Sequence, residues 1–174
     1  MRTLALLAVL ALAPVPALAQ NLSIPISDVG RRIADASTRI GEHLDWGAGT
    51  CGEPKQQPGT CVWDLGPRLS LTAHSYDAIY EAKGEGLSSN ATIIITRWSH
   101  VDLQDSATRD AFDQACRGLV AALRPDWPAA KVVSFTSALI GSADKDRGAN
   151  ANGIGFAFYA LPGSVTCEAQ LAND

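Results

Sequence analysis

The chain has 174 residues, with 14 Lys or Arg against 18 Asp or Glu and a formal net charge of −4 at pH 7. Nucleic-acid binding requires Lys and Arg clustered on one face, so this acidic balance predicts no nucleic-acid partner. Hydrophobic residues make up 47% of the chain, which is enough to build one buried core.

The first nineteen residues, 1–19, have the features of a bacterial secretory signal peptide. Arg2 begins the segment, an apolar run spans residues 4–13, and Ala17 and Ala19 are small residues suited to a cleavage site. The run is shorter than the about 20 residues of a membrane-spanning helix. We therefore expect no membrane span and a single domain over residues 20–174 that is periplasmic or secreted.

Four cysteines form an even set, which in an exported chain favours two disulfides over free thiols. Cys51 and Cys61 bracket a stretch rich in Gly, Pro and Gln that is typical of a loop. Cys116 lies on the apolar stripe of a predicted helix, and Cys167 lies on the apolar side of a predicted strand. We therefore predict the disulfides Cys51–Cys61 and Cys116–Cys167.

The first half of the mature chain predicts a helix followed by strands. Apolar residues recur at spacings of three and four from Ser27 to about Leu44, which indicates an amphipathic helix. Residues 46–58 are rich in Gly and Pro and predict a loop. Residues 67–83 fit both a strand and a helical stripe, and the strict Leu-Ser-Leu-Thr alternation favours strands. The β-branched residues of 91–98 predict a further strand.

The second half predicts a helix followed by three strands. The helix runs from about Ser106 to Leu123, and two prolines end it. Residues 131–140 are rich in β-branched and aromatic residues and predict a strand. A polar loop over 141–152 leads to its expected hairpin partner at 153–161. The alternation at 164–171 predicts the last strand.

These elements predict an α+β fold. Strands joined by short turns imply a mainly antiparallel sheet of five to six strands, and two amphipathic helices can cover one of its faces. The expected architecture is a two-layer sandwich.

The chain contains three histidines, and the candidate catalytic residues come from this set and from nearby carboxylates. His74 and His100 lie near the ends of predicted strands, and Asp77 and Asp102 are the nearby carboxylates. A general acid–base site assembled from these separate segments would make the protein an envelope hydrolase. None of the spacings matches a zinc or catalytic motif, so surface or capping histidines are favoured over a catalytic pair.

A second polar cluster alternates oxygen-bearing side chains in the manner of a calcium loop: Asp144, Asp146, Asn150 and Asn152. The glutamate expected at the twelfth position is missing, and basic residues lie between the carboxylates. A polar hairpin tip is therefore favoured, with an ion or small-molecule binder as the alternative.

The sequence shows no further motif for catalysis, and it predicts no cofactor and no metal. The favoured hypothesis is a small exported, non-catalytic binding or accessory module of the bacterial envelope or exterior. It would contact a protein or envelope partner through one sheet face or through the loop between Cys51 and Cys61.

Overall fold

The structure is a computed structural model that describes residues 22, 24–44, 49–52, 59–66, 69–75, 90–96, 106–141, 146–161 and 164–171. Within these ranges the helices are α1 (Val29–Arg39), α2 (Ser106–Leu123) and α3 (Ala129–Ile140), and a 3-10 turn at Ile26–Asp28 precedes α1. The strands of the same ranges are β1 (Thr50–Cys51), β2 (Gly59–Gly66), β3 (Leu69–Ser75), β4 (Asn90–Thr96), β5 (Arg147–Ala151), β6 (Ile154–Leu161) and β7 (Ser164–Leu171).

The strands form one antiparallel sheet in the order β1-β2-β3-β4-β7-β6-β5. The last strand of the chain, β7, pairs with both β4 and β6 and so joins the two halves of the sheet. The α+β class and the antiparallel pairing are confirmed. The predicted five to six strands and two helices are too few, because the described residues contain seven strands and three helices.

The three helices lie over one face of this sheet, and the hydrophobic core lies between the two layers. On β3, Leu71 and Ala73 are fully buried, whereas Thr72 and His74 on the opposite face are only half-buried. Phe158 of β6 is also fully buried and meets Phe112 of α2 edge to face, with ring centroids 6.2 Å apart. Burial of a large side chain such as Leu71 or Phe158 contributes about 1.5–3 kcal/mol to folding.

Trp63 on β2 explains why the helix α1 contains a glycine, Gly30. A Cβ atom at Gly30 would lie 2.5 Å from the indole Nε1 of Trp63, and a Cβ at Gly49 would clash with the same ring. The helix therefore carries a glycine where the ring packs against its backbone, at a cost of about 1 kcal/mol in helix propensity.

The predicted strand at 131–140 is wrong, because this segment is the helix α3. Pro128 precedes it, and the residues buried within it recur at helical spacing: Val132, Thr136, Leu139 and Ile140. The β-branched composition favours a strand locally, but burial of this stripe against β5 and β6 overrides that preference. The true partner of β6 is β5, which lies inside the segment predicted as a polar loop.

The remaining predicted elements agree in part with the structure. The bounds of α2 and β7 match their predictions, and β3 confirms a strand in the described part of 67–83. The helix α1 ends at Arg39, earlier than predicted, because Gly41 adopts a φ of +84° and the amide of Glu42 donates to the Ser37 carbonyl. The signal peptide lies outside the described residues and stays a prediction. Within the described ranges, every helix is too short or too polar to cross a membrane.

Candidate functional site

His74 is the one predicted catalytic residue within the described part of the chain. It lies on β3, and its Nδ1 is 3.2 Å from the hydroxyl of Thr60 on β2. Burial lowers the pKa of His74, and the nearby Glu168 opposes this shift. A lowered pKa favours the neutral ring at neutral pH, in which form it exchanges a hydrogen bond with Thr60. The other three predicted residues, Asp77, His100 and Asp102, lie outside the described residues, so the hydrolase site stays a prediction.

The predicted cation loop contains the turn between β5 and β6. Asn152 and Gly153 have φ values of +53° and +78°, as a two-residue turn of type I′ requires. The Asn150 side-chain oxygen accepts a hydrogen bond from the Gly153 amide at 3.1 Å. With its amide oxygen facing Arg124, Asn152 accepts from both terminal nitrogens of that guanidinium at 3.1 Å. The side-chain oxygens of Asn150 and Asn152 therefore accept hydrogen bonds from groups of the protein itself.

The other two predicted cation ligands do not complete a site. Asp146 is exposed immediately before β5, and Asp144 lies outside the described residues. Among the residues that the structure describes, no three His, Cys, Asp or Glu side chains are placed to hold a metal ion. This arrangement favours the polar hairpin over a calcium loop.

The two cysteine pairs differ in their bonding. Cys51 and Cys61 face each other across β1 and β2 and form a disulfide, which is the predicted pairing. Cys116 of α2 and Cys167 of β7 are free thiols in the structure, so the second predicted bond is not formed there. Both are completely buried. Burial raises the pKa of Cys116 well above its ordinary value, and the neighbouring thiol of Cys167 adds to this rise, which opposes thiolate chemistry.

A polar cleft lies elsewhere, between α2 and α3, with a volume of about 150 Å³; it is termed the helix cleft. Its α2 wall carries three charged side chains spaced four residues apart, and such residues lie on one side of a helix. Its α3 wall carries two hydroxyls, one apolar side chain and the glycine that follows the helix. The lining residues are Arg109, Asp113, Arg117, Thr136, Ser137, Ile140 and Gly141.

Two residues that line the helix cleft each have a buried side-chain oxygen without a hydrogen-bond partner among the described residues: Oδ1 of Asp113 and Oγ1 of Thr136. Thr136 is only 1% exposed. A helical threonine ordinarily bonds to the carbonyl four residues earlier, as Thr38 does with Ala34 at 3.1 Å. Leaving such an atom unpaired costs about 1–3 kcal/mol. The walls of the cleft therefore contain two unsatisfied polar atoms within the described part of the chain.

The charges of the helix cleft are only partly paired. Nε of Arg117 donates to Oε1 of Glu42, which follows α1, and both side chains are less than one-fifth exposed, at 19% and 17%. Arg109 forms no hydrogen bond or ion pair within the described ranges. Burial raises the pKa of the Asp113 carboxyl, whereas Arg109 and Arg117 oppose that rise. The cleft thus presents arginine side chains beside a carboxyl group whose pKa lies above its ordinary value.

The turn between α2 and α3 sets the angle between the two walls. Arg124 is 6% exposed and donates to both carboxylate oxygens of Asp126, at 3.1 and 2.8 Å. It also lies over the Trp127 ring, 4.7 Å from the centroid, while Lys131 stacks on the same ring at 4.2 Å. At the other end of α3, Arg147 donates to the carbonyl of Ala138. Both ends of the α3 wall are therefore anchored.

Sequence reasoning missed the helix cleft. The spacing of Arg109, Asp113 and Arg117 is visible in the sequence but is typical of a solvated helix face. The predicted strand over 131–140 contains Thr136, so the sequence does not place this residue opposite the charges. The helical spacing of the apolar residues in 131–140 is the signal that predicts a second helix beside α2.

Comparison of the chain with protein-family models, with curated proteins and with solved structures found no match.

Proposed function

We propose that this protein is an exported, non-catalytic binding module of the bacterial envelope or exterior that takes a small polar ligand in the helix cleft. One observation carries the proposal: Asp113 and Thr136, which line one cleft, each have a buried side-chain oxygen without a partner among the described residues. Native proteins satisfy nearly all of their buried polar groups, so two exceptions in one cavity favour a ligand.

Export is the second part of the proposal and rests on other features. The signal-like segment at 1–19 supports it, and so does the Cys51–Cys61 disulfide, because such bonds persist mainly in oxidising compartments. A protein or envelope partner, as predicted from the sequence, remains compatible with a module that also binds a small molecule.

The test is a binding experiment on the folded protein by NMR, in which backbone amide shifts are followed. Three probes of similar size and different charge are titrated separately: glycolate, glycerol and ethanolamine. We expect at least one probe to shift amides on both walls, around Asp113 and Thr136, with an affinity in the millimolar range for so few atoms. Amides of the β5–β6 hairpin serve as the internal reference and should not shift.

A pair of threonine variants controls this experiment. Thr136→Val removes the unpartnered hydroxyl and should weaken binding several-fold. Thr38→Val removes the hydroxyl on α1 that already bonds to Ala34, so it should leave the affinity unchanged. If no probe shifts either wall at concentrations up to about 100 mM, the helix cleft is not a binding site.

A further inference from the structure

The chemistry of the ligand follows from which groups of the helix cleft still lack partners. Arg109 keeps all of its guanidinium donors, because it has no hydrogen bond or ion pair within the described residues. Nε of Arg117 donates to Glu42, and the terminal nitrogens of Arg117 have no hydrogen bond within the described residues. An arginine has donors and no acceptors, so a matching ligand needs acceptors, and a carboxylate fits the geometry of a guanidinium.

Asp113 lies between the two arginines, one helical turn from each, and decides when an anion can enter. An ionised Asp113 would repel a bound carboxylate, whereas a protonated one would donate a hydrogen bond to it. The groups acting on its charge are Arg109, Asp110 and Arg117 on α2, with Glu42 behind Arg117. Within the described residues, the α3 wall contributes no ionisable side chain to the cleft, and Arg147 of β5 packs beside Gly141 at the end of that wall.

The α3 wall adds a requirement for a hydroxyl or a similar group. Thr136 Oγ1 can donate and accept, and it is buried without a partner in the described structure. A cavity of about 150 Å³ admits a molecule of about six non-hydrogen atoms, since a cavity of that volume accommodates benzene.

We propose that the helix cleft binds a small hydroxy carboxylate, whose carboxylate lies between Arg109 and Arg117 and whose hydroxyl meets Thr136. This inference rests on the proposed function and adds the ligand's chemical class to it. Binding takes up one proton on Asp113, so the affinity should rise as the pH falls toward the pKa of that carboxyl.

The experiment is isothermal titration calorimetry with glycolate and three comparison probes. Glycolate has the carboxylate and the hydroxyl, propionate lacks the hydroxyl, glycolamide lacks the charge, and inorganic phosphate offers an oxyanion of another class. We expect glycolate to bind, propionate to bind about five-fold more weakly for the loss of one hydrogen bond, and glycolamide not to bind detectably. Phosphate should bind more weakly than glycolate.

Substitutions of Arg109 test whether glycolate binds in the helix cleft. Arg109→Gln and Arg109→Lys should lower the glycolate affinity at least about ten-fold and about three-fold, because only arginine provides the planar fork. Arg31→Gln on α1 is the matched control, an exposed arginine paired with Asp28, and should change nothing. Circular dichroism melts on each variant establish that it is folded.

The pH profile tests the role of Asp113. Between about pH 8 and about pH 5, where glycolate stays ionised, the wild-type affinity should rise by at most about ten-fold per unit. Asp113→Asn should bind with an affinity that no longer depends on pH.

The possible outcomes separate this inference from the proposed function. If glycerol or ethanolamine binds between the two walls and glycolate does not, the function stands and the carboxylate assignment is overturned. Phosphate binding more tightly than glycolate overturns it as well. If none of these probes binds, both proposals fail.

Discussion

The helix cleft and the β5–β6 hairpin are both rich in polar side chains, but they use them differently. In the hairpin, Asn150 bonds to the amide of Gly153 and Asn152 faces Arg124. In the cleft, Asp113 and Thr136 each keep a buried oxygen without a partner in the described structure. Polar groups that satisfy each other stabilise a turn, whereas groups that are buried and unsatisfied destabilise the fold unless something else pairs with them.

This difference has an energetic consequence for folding. The hairpin gains stability from its polar atoms, because each net hydrogen bond contributes about 0.5–1.5 kcal/mol. The cleft loses stability through the two atoms that are unpaired within the described structure. Mutations of polar residues should therefore act in opposite directions in the two regions.

The largest effect we expect concerns α2, which forms one wall of the cleft. Oxidised glutathione should convert the thiols of Cys116 and Cys167 to a disulfide, taking up their two electrons and two protons as two molecules of reduced glutathione. Closing a loop of about 50 residues should raise the free energy of unfolding by about 4 kcal/mol. Because both thiols are completely buried, the reaction should proceed during refolding and hardly at all in the folded protein.

Mass spectrometry after alkylation, with denaturant melts of the refolded protein, measures this bond. Protein recovered after export should likewise carry no alkylatable thiol. Hydrogen exchange should slow in α2 and not in the β5–β6 hairpin, which would sharpen the contrast between the two regions. The variant Cys167→Ala keeps Cys51–Cys61 and is the control. Two alkylatable thiols in the exported protein would contradict the prediction.

The next largest effect lies at Arg124, which connects the hairpin to the turn between the helices. Arg124→Met keeps the length of the side chain and removes its bonds to Asp126 and Asn152 and its stacking on Trp127. We expect a loss of about 2 kcal/mol in the free energy of unfolding, because these are charge-assisted hydrogen bonds to a buried guanidinium. Urea denaturation measures it.

The control for Arg124 is Arg31→Met, which breaks an exposed arginine–aspartate pair on α1. Its cost should stay within about 0.5 kcal/mol. Equal losses in the two variants would show that the guanidinium of Arg124 stabilises the turn no more than a surface pair does.

The sequence predicts much of the fold and little of the site, for a physical reason. The elements with a single strong pattern, α2 and β7, are predicted to their ends. The segment 131–140 fails because its β-branched residues carry a strand preference that tertiary packing overrides. The polar character of the hairpin is visible in the sequence because its oxygen-bearing side chains are close together along the chain. The cleft is not visible there, because Asp113 and Thr136 come to line one cleft only when two helices pack.

The smallest effect has the opposite sign and is the sharpest test of the comparison. Thr136→Val replaces a hydroxyl that has no partner in the described structure with a methyl group of similar volume. Removing an unsatisfied buried polar group should raise the free energy of unfolding by about 1 kcal/mol, measured by urea denaturation without ligand. Thr38→Val, which removes a hydroxyl that has a partner, should instead lower stability by up to about 0.5 kcal/mol. If Thr136→Val is destabilising by 1 kcal/mol or so, its hydroxyl is satisfied within the protein, and the cleft differs from the hairpin only in location.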